Sequence, residues 1–294
     1  MYHITYYATD SLLTQSEADS VFNSLDSSLS LYKPYSLINA FNNSQKGIVI
    51  DKHLERVVSK SLEVYAATNG AFDITVWPLV NAWGFGIKKI DDVPDRKEID
   101  SIMPCIGSDK IQLRGGFLAK QLPCVNIDVN GIAQGYSVDV MAELLESKGI
   151  MNYMVEVGGE IRVKGRKKIG IESPADDAFI TAPVRTILSI DSGGITTSGS
   201  YRKYYESNGK RITHLIDPHT GNSIQNNLIS VTVIAKDAMT ADAYDNALMV
   251  MGLEKALQFA PTKNLEAYFI YRTKQGTLAD TATAGFYKLY AGFH

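Results

Sequence analysis

The sequence predicts an α+β fold of mostly antiparallel sheets with packed helices, arranged as two closely associated lobes. Two observations carry this expectation. Between residues 153 and 235 short strand-like runs follow one another across Gly-rich turns, whereas a doubly wound chain would alternate strand and helix. Amphipathic stretches stand outside that block, at 16–31, 51–70, 131–148 and 240–252. No repeat, low-complexity tract or clear linker divides the 294 residues, so a single domain over 1–294 is expected.

The elements follow in order. Residues 2–8 alternate like an opening strand, and 16–31 have helical spacing. Residues 32–39, Tyr-Lys-Pro-Tyr-Ser-Leu-Ile-Asn, read as a polar loop. Asp51 is placed to cap a helix with Leu54, Val58, Leu62 and Tyr65 on one face, and Gly70 is its stop. Residues 73–95, with Trp77, Pro78, Trp83 and Phe85, read as irregular. Strands are expected at 110–113, 117–120 and 125–129, then a helix at 131–148 with Ile132, Tyr136, Val140 and Leu144 on one face. Further strands are expected at 153–157, 160–164, 168–172, 180–190, 195–198, 201–206, 210–215 and 229–235. The helix at 240–252, another near 254–260 and a strand at 265–271 close the chain.

The composition is that of an ordinary globular chain, 45% hydrophobic and 21% charged. A net charge of −3 argues against nucleic acid as a partner. No apolar run approaches the roughly 18 residues of a membrane span. The two cysteines, Cys105 and Cys124, form no CxxC or metal spacing and read as small core residues. No leader is visible before the opening strand, and a trimmed export signal is the expected reason.

The chemistry centres on 240–252. Asp242, Asp245 and Asn246 fall at i, i+3 and i+4 on one helical face, with no Lys or Arg in the stripe. Crowded carboxylates raise each other's pKa unless a cation lies between them, and oxygen ligands suit Mg²⁺ or Ca²⁺. The same spacing also describes a solvated acidic stripe near a helix start, where the dipole favours Asp. Asn130 is placed to cap the 131–148 helix, and free amides at such a turn favour phosphate. Gly158-Gly159 suits a hairpin. Residues 196–202 lack a GxSxG elbow, and neither P-loop nor GxGxxG occurs. His214 alone reads as structural, and His219 as an exposed turn residue.

Each element is weak alone, but their order is specific. Leu31-Tyr-Lys-Pro-Tyr-Ser-Leu-Ile-Asn, Gly70-Ala-Phe-Asp-Ile-Thr-Val and Pro78-Leu-Val-Asn-Ala-Trp-Gly-Phe-Gly lead to Asp128-Val-Asn-Gly-Ile-Ala-Gln-Gly-Tyr-Ser-Val-Asp. Val157-Gly-Gly-Glu-Ile, Thr197-Ser-Gly-Ser-Tyr-Arg, His214-Leu-Ile-Asp-Pro-His-Thr-Gly and the 239–252 stretch complete the series. Over nearly its whole length the chain resembles the ApbE family of FAD:protein FMN transferases.

The resemblance implies transfer of FMN from FAD to a threonine hydroxyl of an acceptor protein, with Mg²⁺ required and AMP released. It implies Mg²⁺ ligands at Asp242, Asp245, Asn246 and the carbonyl of Gly131. It implies FAD contacts at Tyr32, Ala71, Phe72, Asp73, Asp128, Gln134 and Ile216, and a general base at His214. It further implies an extracytoplasmic enzyme, periplasmic or anchored as a lipoprotein in a bacterium, whose acceptor is a subunit of a membrane redox complex. Asn246 stands where the family often has Thr, and Trp77 where many relatives have Gly. An amide oxygen still ligates, whereas Trp77 would reshape the FAD entrance. The rival readings are an FAD pyrophosphatase, a flavin-binding protein without transfer, and a non-catalytic sheet-rich module.

Overall fold

The computed structural model describes residues 1–86, 93–174, 184–201, 203–207 and 209–290. The chain begins with β1 (Tyr2–Tyr6), α1 (Gln15–Leu29), α2 (Leu37–Asn43), β2 (Gly47–Val49), α3 (Lys52–Ala67), α4 (Trp77–Ala82) and α5 (Arg96–Ile102). There follow β3 (Ile111–Arg114), β4 (Phe117–Lys120), α6 (Asn130–Ser147), β5 (Tyr153–Val157), β6 (Glu160–Glu172) and β7 (Val184–Gly199). It ends with β8 (Tyr204–Ser207), β9 (Lys210–Thr213), β10 (Leu228–Ala235), α7 (Ala238–Met251), α8 (Leu253–Phe259), β11 (Glu266–Arg272) and β12 (Leu278–Ala282). Among the described residues no helix is long and apolar enough to cross a membrane.

The elements gather into two compact units, each discontinuous in sequence. The first comprises residues 1–18, 134–203 and 226–294. Its sheet runs β1-β5-β6-β7-β10-β11-β12, with every neighbouring pair antiparallel. Strand β10, Leu-Ile-Ser-Val-Thr-Val-Ile-Ala, is β-branched and buried almost throughout, as a strand covered on both faces must be. Val163, Leu188, Ile195, Ile270 and Phe286 belong to one apolar cluster here. Helix α7 packs on β7 and β10. It is buried on nearly every side, and its alanines Ala238, Ala241, Ala243 and Ala247 let backbone come close. A helix so enclosed carries its polar residues inward as well.

The second unit comprises residues 19–133 and 204–225. It holds a β2-β4-β3 sheet, the β8-β9 hairpin and helices α2 to α5. Asp51 caps α3 as expected, accepting from the amides of His53 and Leu54, and Ser28 Oγ adds a third bond at 2.8 Å. The buried face of α3 is Leu54, Val57, Val58, Ser61 and Val64, rotated from the expected Leu62 and Tyr65. A second apolar cluster, of Leu79, Trp83, Ile99, Ile106, Ile212 and Ile216, lies in this unit.

Several expectations are corrected. Part of the 32–39 loop is helical: Ser36 caps α2, with Ile38 and Phe41 buried on it. The irregular 73–95 segment contains a 3-10 turn at Ile74–Val76 and helix α4, while its residues 87–92 lie outside the described ones. Residues 125–129 form no strand and join no sheet. The runs at 160–164 and 168–172 are one strand, β6, with a register shift between Lys164 and Lys167. The runs at 180–190 and 195–198 are likewise one strand, β7, with 180–183 outside the described residues. Helix α5 and strands β2 and β12 had no clear sequence signal.

The cysteines are not separate core residues. Cys105 and Cys124 form a disulfide, their Cα atoms 5.6 Å apart. The β3-β4 hairpin between them returns the chain on itself and brings the two ends together.

Candidate active site

In the first unit the acidic stripe of α7 faces the interior. Asp242 is 3% and Asp245 1% exposed, which excludes a solvated stripe. Asp242 Oδ2 accepts from the Gly135 amide at 2.8 Å. That bond requires α6 to cross α7 at backbone distance. A Cβ on Gly135 would lie 2.3 Å from the Ala238 carbonyl oxygen and 2.7 Å from Asp242 Cβ, so only glycine fits. Asp139, one turn further along α6, caps α7 from outside the helix. Its two carboxylate oxygens accept from the Ala238 and Met239 amides at 3.0 and 2.8 Å.

Asp245 Oδ1 accepts from Asn246 Nδ2 at 2.9 Å, while its buried Oδ2 has no hydrogen-bond partner among the described residues. Burial holds the Asp242 carboxyl well above the ordinary range, and the Glu160 and Asp139 carboxylates push the same way. Burial, then Asp242 and Glu160, do the same to Asp245, with Thr196 opposing. Glu160 opens β6 directly after the two-residue Gly158-Gly159 turn, as the Val157–Glu160 pairing shows. Gln134 reaches the same turn: a Cβ on Gly158 would stand 2.3 Å from Gln134 Nε2 and 3.3 Å from Glu160 Oε2. The site is therefore a buried, acidic, oxygen-rich cluster in which burial and neighbouring carboxylates dominate the shifts of Asp242 and Asp245.

Asn246 is not oriented as a ligand oxygen here. Its Nδ2 donates to the Asp242 carbonyl and to Asp245, and its Oδ1 accepts from Ser198 Oγ at 3.5 Å. Gly131 belongs to the second unit by its contacts but stands one turn before Gly135 on α6. Its φ of −84° and ψ of 19° break the helix there. Asp128, not Asn130, closes the turn into α6, accepting from the Asn130 amide at 2.7 Å. Among the described residues no three or more His, Cys, Asp or Glu side chains form a ready metal cage. The stripe offers two carboxylates and an amide, a partial set that suits an ion completing its shell elsewhere.

In the second unit hydrogen bonds draw most of the remaining candidates together. Ala71, Phe72 and Asp73 are buried behind the C-terminal turn of α3. Asp73 Oδ1 accepts from the Thr75 amide, Thr75 Oγ1 and Ser108 Oγ at 2.7–2.8 Å, and Oδ2 accepts from the Ser108 amide at 3.2 Å. Burial raises its pKa and these four bonds oppose the rise. Its carboxylate thus fixes the turn. Asp128 joins the same turn, its amide donating to the Ile74 carbonyl at 2.7 Å. Ile216 is a core residue beside Trp83, and His214, half-buried, meets the Phe85 ring edge-on with centroids 6.2 Å apart. Trp83 Nε1 donates to the Gly221 carbonyl at 2.8 Å, tying α4 to the turn that follows His214.

Tyr32 is exposed, on the loop that leads into α2. That loop is held by Asn39, whose Nδ2 donates to the Leu31 and Lys33 carbonyls at 3.0 and 2.8 Å. Asn39, Asp139 and Glu160 lie within the quoted motifs but were assigned no role there, and Ser108 lies in none of them.

Among known proteins, the model of the ApbE family matches residues 1–269. A FAD:protein FMN transferase of Haemophilus influenzae is 38% identical over 302 residues, spanning 96% of this chain and 87% of that protein. The one from Escherichia coli K12 is 39% identical over 280 residues, spanning 91% and 77%. The solved flavin transferase ApbE of Vibrio cholerae superposes with a TM-score of 0.88 at 34% identity, covering 98% of this chain and 95% of that one.

Proposed function

This chain belongs to the ApbE family, and on that premise we propose that it transfers the FMN half of FAD to a threonine hydroxyl of an acceptor protein, releasing AMP. It is an enzyme of the FAD:protein FMN transferase class, with FAD as the FMN donor and a protein as the acceptor.

The observation that carries the proposal is the buried Asp242–Asp245 pair, with one carboxylate oxygen that has no hydrogen-bond partner among the described residues. Desolvated carboxylates without a cation are costly, and a divalent ion bound by oxygen removes the cost. The residues therefore fit Mg²⁺, which takes a few protein oxygens and completes its octahedron with substrate phosphate and water. Asp242 and Asp245 would hold it, with the Gly131 carbonyl as the resemblance implies. Asn246 would join after turning its amide oxygen inward. When bound, the ion neutralises charge on the pyrophosphate that is being split.

The chain's own residues do the rest. Tyr32, Ala71, Phe72, Asp73, Asp128, Gln134 and Ile216 would hold FAD. With Asp73 spent on Thr75 and Ser108, its segment would meet the ligand through backbone and through Ala71 and Phe72. His214 would take the proton of the acceptor hydroxyl as its oxygen bonds the FMN-side phosphorus. The bond from that phosphorus to the bridging oxygen breaks, and AMP departs.

An extracytoplasmic location, periplasmic or lipoprotein-anchored, is proposed with it. The Cys105–Cys124 disulfide supports this reading, because such bonds persist in oxidising compartments. A flavin-carrying subunit of a membrane redox complex is the proposed acceptor.

Incubation with FAD, Mg²⁺ and an acceptor domain tests the function. Equimolar AMP and flavin-labelled acceptor are expected. AMP with free FMN and no labelled protein would make the enzyme a pyrophosphatase. Bound FAD without AMP would make it a flavin carrier.

A further inference from the structure

The turn after β9 contains a histidine with both ring nitrogens engaged. His219 Nε2 lies 2.7 Å from the Asn69 carbonyl oxygen, and Nδ1 lies 3.0 Å from Asp217 Oδ1. Both partners can only accept once Asp217 is ionised. A neutral imidazole has one donor nitrogen, so only the doubly protonated ring satisfies both. Either neutral tautomer would set a nitrogen lone pair against an oxygen.

The two ends of this bridge lie at the two segments that carry FAD candidates. Asn69 is in the left-handed region with φ 52°, uncommon for a residue with a side chain, and Gly70 follows with φ 84°. The pair reverses the chain after α3, and Ala71, Phe72 and Asp73 come next. At the other end, Asp217 also accepts from the His219 amide at 2.9 Å and from Thr220 Oγ1 at 3.0 Å. Ile216 precedes it, and His214 stands two residues earlier.

We propose that the His219 imidazolium is a positioning residue for FAD, clamping the 69–73 turn to the 214–217 segment. The proposal rests on reading those two segments as FAD contacts. The Asn69 carbonyl raises the ring's pKa above the ordinary 6.5, Asp217 and Asp73 add to the rise, and partial burial opposes it. The clamp is thus complete at low pH and lost as pH rises through that elevated value. Two further groups stand near this turn. Tyr65 of α3, beside Gly70, donates to Asp109, and burial pushes it up to about 12. Arg96 of α5 pairs with Asp100 and reaches the Thr220 carbonyl.

The test uses the whole protein, wild type, His219→Gln and His219→Arg. Three quantities are followed from pH 5.5 to 9: FAD affinity, the ring ¹⁵N shifts of His219, and amide exchange over residues 69–73. In the wild type both ring nitrogens should be protonated at pH 6. Its FAD affinity should then fall roughly tenfold across the range, equivalent to about 1.4 kcal/mol. His219→Gln should bind weakly with that fall removed, and His219→Arg, a permanent cation, should recover tight binding with no fall. A neutral ring at pH 6, or turn exchange indifferent to pH, would overturn the clamp itself. A protonated ring and a pH-dependent turn beside a flat FAD affinity would instead overturn the reading of 71–73 as FAD contacts, and the positioning role with it.

Discussion

Replacing Cys105 and Cys124 together by serine tests a feature that no sequence spacing announced. The two residues are 19 apart in sequence. Closing a loop of that length removes denatured-state entropy equivalent to about 3 kcal/mol at 25 °C. In a chain of this size each kcal/mol is roughly 2–4 °C of melting temperature, so a drop of about 6–12 °C is expected. The loss should extend to the FAD segment. Just beyond Cys105, Gly107 donates to Thr75 Oγ1 at 2.7 Å and Ser108 bonds Asp73 twice. Just beyond Cys124, Asp128 bonds the Ile74 carbonyl. The bridge therefore braces both sides of the Asp73–Thr75 turn, and FAD affinity should weaken along with stability. Urea unfolding of the wild type and the double variant, with thiol titration of the untreated native protein, provides the assay. Free thiols in the native protein, or a loss below about 1 kcal/mol, would refute the reasoning.

Other consequences are as direct. Asp242→Asn keeps an acceptor for the Gly135 amide while removing a buried charge. It should therefore melt no lower than the wild type without metal, yet lose Mg²⁺-dependent turnover and the melting-temperature rise on adding Mg²⁺. His214→Ala should bind FAD and Mg²⁺ nearly normally but transfer FMN roughly 10²–10⁴-fold more slowly in single-turnover assays. A wild-type rate in the folded variant would remove His214 from the mechanism. Burial holds the Asp139 carboxyl at about 6, above its ordinary 3.8. The native state thus grips that proton more tightly than the unfolded chain does. The resulting stability is present below pH 4 and lost as pH rises through 6, a change of about 3 kcal/mol. Asp139→Asn should lack that slope, which urea midpoints at pH 4.5 and 7.5 would show.

The long periodic helices, the antiparallel strand block and the acidic stripe were legible because each repeats a local pattern. What local pattern cannot state is the environment. The i, i+3, i+4 spacing of Asp242, Asp245 and Asn246 describes a wet face and a buried one equally. The alanines around the stripe and the bare Gly135 decide between them, because they let α6 and β7 close over it. The same limit hid the disulfide, since nothing at Cys105 or Cys124 reports the hairpin that joins them. Helix α2 was missed because its cap, Ser36, lies in a run of Tyr, Lys and Pro that reads as loop. Asn246 was legible as a candidate ligand, but the direction of its amide depends on Asp245, the Asp242 carbonyl and Ser198 of β7. His219 looked like a turn residue, and only the position of the Asn69 carbonyl reveals its second bond.

Anomalous diffraction from crystals soaked with Mn²⁺, an oxygen-preferring stand-in for Mg²⁺, tests the central claim most directly. The account predicts one peak about 2.1 Å from carboxylate oxygens of both Asp242 and Asp245, and no peak there in Asp245→Asn. Full occupancy at some other site, with this pair metal-free in crystals of an enzyme that turns over with Mn²⁺, would contradict it.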